Sequence, residues 1–226
     1  MTGLSLKLIA VVAMLIDHIG HVLFPGQMWL RYIGRLAFPI FCFLLVEGFI
    51  HTRNLRNYMF RLLIFGIISE VPFDMAIYGT VFTMEAQNVF WTLLLGLIAI
   101  SLMSMIHQDN FIIKCLLQAA VAVPFGIAAQ LMHTDYRWIG IGLIAGMYIF
   151  HDLEILKVAS GVFFMLPFFT NEIEYVGVAA YLPMHFYNGR SGIPKGASGK
   201  AVRMVFYVFY PLHLLTLAYI RDRVWI

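Results

Sequence analysis

Charge is scarce in this chain. Only 12% of its 226 residues are Asp, Glu, Lys or Arg, roughly half the share found in ordinary soluble domains, which excludes a free-standing water-soluble domain. Cysteine is scarcer: only Cys42 and Cys115 occur, both inside apolar runs, so a disulfide framework is unsupported and both suit small core positions. No GxxxxGK[ST] string follows a strand, so a P-loop is excluded. No internal repeat is visible, which disfavours transporters built from inverted halves. The net charge of +3 is small and sits in basic loops, so it speaks of membrane topology and not of nucleic acid.

What remains is apolar. Hydrophobic residues make up 62% of the chain and its mean hydropathy is +0.85. The fold class is therefore all-α, a polytopic integral membrane helix bundle embedded in the lipid bilayer, with residues 1–226 forming a single transmembrane domain. Apolar runs predict about nine transmembrane helices. They cover residues 4–24, 33–50, 58–78, 89–106, 111–132, 138–150, 155–169, 175–187 and 202–220, the sixth to eighth being short. The first is expected to be retained, since Asp17, His18 and His21 stand where a signal peptide would carry small residues for cleavage.

Alternating the loops gathers Lys7, Arg53, Arg56, Arg61, Lys114, Lys157, Arg190, Lys195, Lys200 and Arg203 on one side. By the positive-inside bias this side is cytoplasmic, which predicts a protein of the inner or plasma membrane with its N-terminus inside. Glu85, Glu172 and Glu174 then fall outside.

The first helix carries the most unusual chemistry. Asp17, His18 and His21 interrupt an otherwise apolar run, and such groups persist in a membrane where they face a protein interior or a wet cavity. At about 100° per residue, His18 and His21 share a face, Asp17 and His21 stack at i,i+4, and Lys7 lies on nearly the same stripe as His18. Eleven residues separate Lys7 from His18, about 16 Å along the axis. A small acyl group on a long phosphorylated carrier would fit this geometry, with its phosphates at the lysine and its reactive end at the histidine.

Arg53 and Arg56 are i,i+3, with Arg61 following at the start of the next helix, so a compact cytoplasmic cluster suited to phosphates is expected. The equally weighted alternative is a positive-inside anchor on anionic lipid. The glycine-rich run 189–200, GRSGIPKGASGK, is expected to be a flexible cytoplasmic loop, with folding over the cofactor as the lesser alternative. Arg35, Glu47, Glu70, Asp74, Asn88, His185 and His213 are further polar groups inside apolar runs. Arg35 is the natural counter-ion of Asp17 or Asp74. Glu70 and Asp74 would repel at i,i+4, which predicts that one is paired or protonated, and Glu47, Asn88 and His185 are expected to be structural.

A neutral imidazole at His18 can take a proton from an acceptor hydroxyl or amine, with Asp17 or Arg35 setting its tautomer; alternatively His18 is itself acylated. H-x-x-H without the Glu of HExxH leaves a metal site unsupported.

The strings MLIDHIGHVLFP, IGRLAFPIFCFLLVEGFIHTRN, RLLIFGIISEVPFD, NVFWTLLLGLIAI, TDYRWIG, FYNGRSG and FYPLHLL, in this order over nearly the whole chain, resemble the TraX family of integral membrane proteins. That resemblance implies a role in conjugation, similar to acetylation of a pilin N-terminus. More remotely the chain resembles the acyltransferase-3 and heparan-glucosaminide acetyltransferase group, which acetylates acceptors across the bilayer from cytoplasmic acetyl-CoA. The group's basic residue followed by ten intervening residues and then a His matches Lys7 and His18, its RxxR matches Arg53 and Arg56, and its Y-x-x-H in the last span matches Tyr210 and His213.

The expected function is an integral membrane acetyltransferase using acetyl-CoA as donor. His18, Asp17, His21 and Arg35 would be catalytic, and Lys7, Arg53, Arg56, Arg61, Tyr210 and His213 would hold the donor. The acceptor, a pilin amine, a glycan hydroxyl or a lipid headgroup, stays open. So does self-association through Gly140, Gly142 and Gly146. The alternatives are a proton-coupled transporter or flippase relaying protons through Asp17, His18, Glu70 and Asp74, and a non-catalytic assembly factor.

Overall fold

A computed structural model gives the architecture and describes residues 1–166, 173–194 and 196–224. Every regular element among them is a helix: α1 (Gly3–Val22), α2 (Met28–Gly34), α3 (Ala37–His51), α4 (Leu55–Tyr78), α5 (Val89–Met103), α6 (Phe111–Leu131), α7 (Arg137–Ile149), α8 (Glu154–Phe164), a 3-10 turn (Glu174–Ala180), α9 (Tyr181–His185) and α10 (Gly196–Val224). This is the all-helical membrane fold that composition demands, because in hydrocarbon a backbone must satisfy its own hydrogen bonds. Four stretches are long and apolar enough to cross a bilayer: α1, α2 with α3 taken together (Met28–His51), α6, and α10. α5 and α7 are shorter apolar helices.

The predicted runs each meet a helical element, with differences at the edges. The run 175–187 divides into a 3-10 turn and the five-residue α9, too short to span. The end of the run 155–169 lies outside the described residues, as do Glu172 and Lys195. α10 starts at Gly196 and not Val202, so the last five residues of the glycine-rich run expected to be a flexible loop are helix. Gly199 is there for proximity, since a Cβ on it would strike the Pro194 carbonyl.

Helix starts follow local chemistry. Thr2 caps α1 by accepting from Ser5 N–H, Asn88 caps α5 by accepting from Phe90 N–H, and Asn110 caps α6 by accepting from Ile113 N–H. Each satisfies a donor that the first turn cannot satisfy itself. Asn88 also donates to the Gly66 carbonyl at 2.8 Å, the structural role expected of it.

The chain divides into two compact units, interleaved in sequence. Unit 1 comprises residues 1–41, 67–83 and 176–226; unit 2 comprises 42–66 and 84–175. In unit 1, α1 packs against α2 and α10. Gly20 and Gly34 let α2 approach closely: a Cβ on Gly20 would meet Leu30 Cβ at 2.7 Å, and one on Gly34 would overlap the Asp17 carboxylate. Small residues at such crossings are how membrane helices reach packing distance.

In unit 2, α5, α6 and α7 pack mutually and α8 lies on α7. Gly142 faces Phe164, and Gly146 faces Ser160. These glycines are thus used within the chain. Cys42 is buried and Cys115 partly so, both as free thiols. An apolar groove of about 730 Å³ runs along α6, α7 and α8, lined by residues such as Cys115, Ala122, Gly126, Trp138, Gly146 and Phe164. It contains no carboxylate, imidazole or cation, so its chemistry is that of an apolar surface.

Candidate functional site

Unit 1 gathers the polar residues of α1, α2 and α10. Asp17 is buried and clamped by two arginines: Arg35 Nη2 lies 2.6 Å from Oδ1 and Arg31 Nη1 2.8 Å from Oδ2. Arg31 also donates to the Asp17 backbone carbonyl at 3.2 Å. Arg31 and Arg35 are one turn apart across the end of α2, so one helical face delivers both guanidinium groups. The Asp17–Arg35 pairing is one of the two expected. Arg31 precedes the apolar run 33–50 and lies outside the predicted spans; its i,i+4 spacing from Arg35 is the sequence signal that points to it.

The clamp sets the rotation of α1, and His18, the next residue, turns toward α10. His18 Nδ1 and His213 Nε2 are 2.7 Å apart, their rings nearly parallel at 18°. His213 Nδ1 in turn lies 2.8 Å from the Phe209 carbonyl. A carbonyl only accepts, so His213 carries its hydrogen on Nδ1. In the neutral pair, His213 Nε2 is then an acceptor, His18 donates from Nδ1, and the lone pair of His18 stands on Nε2. One imidazole is thereby oriented, tautomer included, by another. Tyr210, buried, sets its ring edge-on to both, 6.1 Å from His18 and 5.7 Å from His213.

His21 is exposed one turn further along α1 and forms no hydrogen bond among the described residues. Lys7 lies three turns the other way, its Nζ 5.2 Å from the centre of the Phe206 ring. Asp74, the other candidate partner of Arg35, accepts instead from Thr83 N–H at 2.9 Å.

The arginines assigned to phosphates lie in unit 2. α4 begins at Leu55, so Arg53 precedes the helix while Arg56 and Arg61 stand on it. The i,i+3 helical pair expected of Arg53 and Arg56 is therefore not formed. Arg53 and Arg56 are exposed, and Arg61 rests 5.7 Å from the centre of the Tyr58 ring.

Unit 2 has a polar cluster of its own that sequence did not reveal. Buried Glu47 accepts from His151 Nε2 at 2.6 Å, and His151 Nδ1 bonds Asp152 Oδ1 at 2.9 Å. Carboxylates accept, so both ring nitrogens donate and the ring is an imidazolium. The Glu47 bond, with help from Asp152, raises the His151 pKa above the ordinary histidine value against the opposing effect of burial. With both nitrogens engaged, His151 has no lone pair for base catalysis. Among the described residues no group of three or more His, Cys, Asp or Glu is placed to hold a metal ion.

Over 246 aligned residues, 96% of this chain and 94% of the relative, the chain is 32% identical to a "Probable fimbrial assembly protein FimC, serogroup H1" of Dichelobacter nodosus. An uncharacterised protein of Rickettsia prowazekii (strain Madrid E) is 41% identical over 66 residues, 29% of this chain and 25% of the relative. No solved structure matches. The family description "TraX protein" matches residues 2–221, nearly the full length and every residue of the Asp17, His18 and His213 constellation, and the chain belongs to the TraX family.

Proposed function

We propose that this protein is a membrane acetyltransferase that moves an acetyl group from acetyl-CoA to an acceptor amine or hydroxyl, working in the inner membrane with its N-terminus cytoplasmic. The observation that carries the proposal is the His18–His213 pair, which leaves one imidazole nitrogen of α1 with an available lone pair. His18 Nε2 takes the proton of the acceptor as it attacks the thioester carbonyl, and gives that proton to the departing thiolate. Donor and acceptor thus become acetylated acceptor and free CoA, with His18 unchanged. The alternative of an acetyl-imidazole at the same nitrogen needs the same tautomer.

His213 is a positioning residue, fixing the His18 tautomer as the third group of a triad does. The Asp17–Arg31–Arg35 clamp sets the rotation of α1, and His21 lies on the approach to the pair. Tyr210 closes one side. Lys7, Arg53, Arg56 and Arg61 are the donor-side cations inferred from sequence, each described within its own unit. The fimbrial assembly relative and the TraX membership support a pilus-related acceptor, a pilin N-terminus before a glycan or lipid headgroup.

The test is consumption of radiolabelled acetyl-CoA by purified protein in lipid, with pilin as acceptor. His18→Gln should lower transfer at least about 100-fold, the range lost with a general base. His213→Asn, which can accept from His18 through its amide oxygen, should retain more activity than His213→Ala. A folded His18→Gln protein with full activity would overturn the assignment, and no transfer by wild type to any of the three acceptor classes would favour an assembly role.

A further inference from the structure

We propose that the end of unit 1 where α1 and α10 begin binds the phosphates of a phosphorylated carrier through Lys7, Arg190, Lys200 and Arg203. The acyl-transfer reading is needed only to name that carrier as CoA.

The first support is a backbone stitch. Gly3 N–H donates to the Arg190 carbonyl and Leu4 N–H to the Ser191 carbonyl, both at 2.8 Å, and Asn188 N–H donates to the Met1 carbonyl at 2.9 Å. The Met1 ammonium donates to the Phe186 carbonyl. Gly189 and Gly192 take φ of +73° and +70°, values that favour glycine, and a Cβ on Gly192 would strike Thr2. The segment carrying Arg190 is therefore fastened beside the first turn of α1.

The second support is a shared ruler. On α10, Arg203, Phe206, Tyr210 and His213 fall within about 80° of arc. Lys7 meets Phe206 and His18 meets His213, so α1 and α10 run side by side with the same order of groups. Arg203 to His213 is ten residues, about 15 Å, against about 16 Å for Lys7 to His18. Both helices place a cation at one end and an imidazole at the same depth. A ligand with phosphates at one end and a reactive carbonyl at the other would match both.

The third support is charge. Neither residues 1–16 nor residues 175–221 contain an Asp or Glu after Tyr175, while they carry the amino terminus, Lys7, Arg190, Lys195, Lys200, Arg203 and Arg221. Arg221 is at the far end of α10, bonded to the Ala76 carbonyl and to Asp222. Arg190, Lys200 and Arg203 are exposed. Guanidinium forks bind phosphate oxygens two at a time. A lipid headgroup offers the same phosphate chemistry as a nucleotide, and experiment separates the two.

The full chain is purified into phosphatidylcholine nanodiscs and titrated calorimetrically with CoA lacking an acetyl group. Lys200→Gln/Arg203→Gln should weaken binding by about tenfold or more, while Arg223→Gln, a loss of positive charge at the other end of α10, should leave it unchanged. In a second arm, nanodiscs containing phosphatidylglycerol are analysed by native mass spectrometry for retained lipid. Loss of retained phosphatidylglycerol in the double variant, with no CoA binding by wild type, would assign the phosphate site to a lipid headgroup and overturn its assignment to CoA. Equal behaviour of wild type and double variant in both arms would overturn the site. Because no acetyl group is present, failure here leaves the His18 transfer assay standing, and failure of that assay leaves phosphate binding standing.

Discussion

At the residue scale, pairing partners decide which histidines can do chemistry. His151 and His18 are both tied to another side chain, yet His151 gives both nitrogens to carboxylates while His18 gives one to an imidazole. The His151 difference is measurable through pH. Its folded pKa is raised, so its stabilising contribution is complete below the unfolded value near 6.5 and is lost as pH rises through the higher folded value. Thermal stability of wild type should therefore fall as pH rises above about 6.5, and His151→Gln should flatten that slope. An unchanged slope in the variant, followed by scanning calorimetry or dye-binding melts, would remove His151 as its source. Sequence made Asp17, His18 and Arg35 legible because each is a costly group inside an apolar run. It left His151 hidden, since that residue sits in a loop and its partner Glu47 is 104 positions away. His213 was visible as an embedded polar group, but its bond to His18 spans 195 positions and depends on how α10 docks on α1, which no local pattern reports.

At the element scale, helix approach controls the clamp. α2 reaches α1 at Gly34, where a side chain would occupy the space of the Asp17 carboxylate. Asp17 is held there by Arg31 and Arg35 and has little room to yield. Gly34→Ala should thus destabilise the protein by about 1–3 kcal/mol, the usual cost of overpacking, and should lower the proposed acetyl transfer by turning His18 away from His213. Gly26→Ala is the control: nothing lies within 4 Å of a Cβ there, so its effect should stay within about 0.5 kcal/mol. Equal stability of the two variants in denaturant titrations would mean that α2 does not press on Asp17. The run 33–50 signalled a helix correctly, but its apolar pattern could not show that the path bends near Arg35, separating α2 from α3. Nor could composition show that the glycines at 196 and 199 begin α10. Glycine in sequence reads as freedom, whereas at Gly199 the structure uses its smallness.

At the scale of the whole molecule, the fold constrains which side of the membrane each site sees. α1 is 20 residues long, about 30 Å, which equals the hydrocarbon thickness. α10 has 29 residues, about 43 Å, so its first or last turns project beyond the hydrocarbon, and the exposed Lys200 and Arg203 mark the first turns as suited to do so. The stitch between residues 1–4 and 186–191 then requires the N-terminus and Ser191 to share a side, independently of any charge rule. The charge rule predicts a cytoplasmic placement for this side. These two statements can be tested together in a background with Cys42 and Cys115 replaced by Ala, using Ser191→Cys and Gly26→Cys, the latter just past the other end of α1. A membrane-impermeant maleimide should label Gly26→Cys in right-side-out vesicles and Ser191→Cys only in inverted ones. The opposite assignment of the two would reverse the orientation while preserving α1 as a span. Labelling of both from one side would mean that α1 does not cross. The proposed transfer from a cytoplasmic donor to an outer acceptor depends on α1 crossing, so this labelling bears on the direction of that proposed transfer as well as on topology.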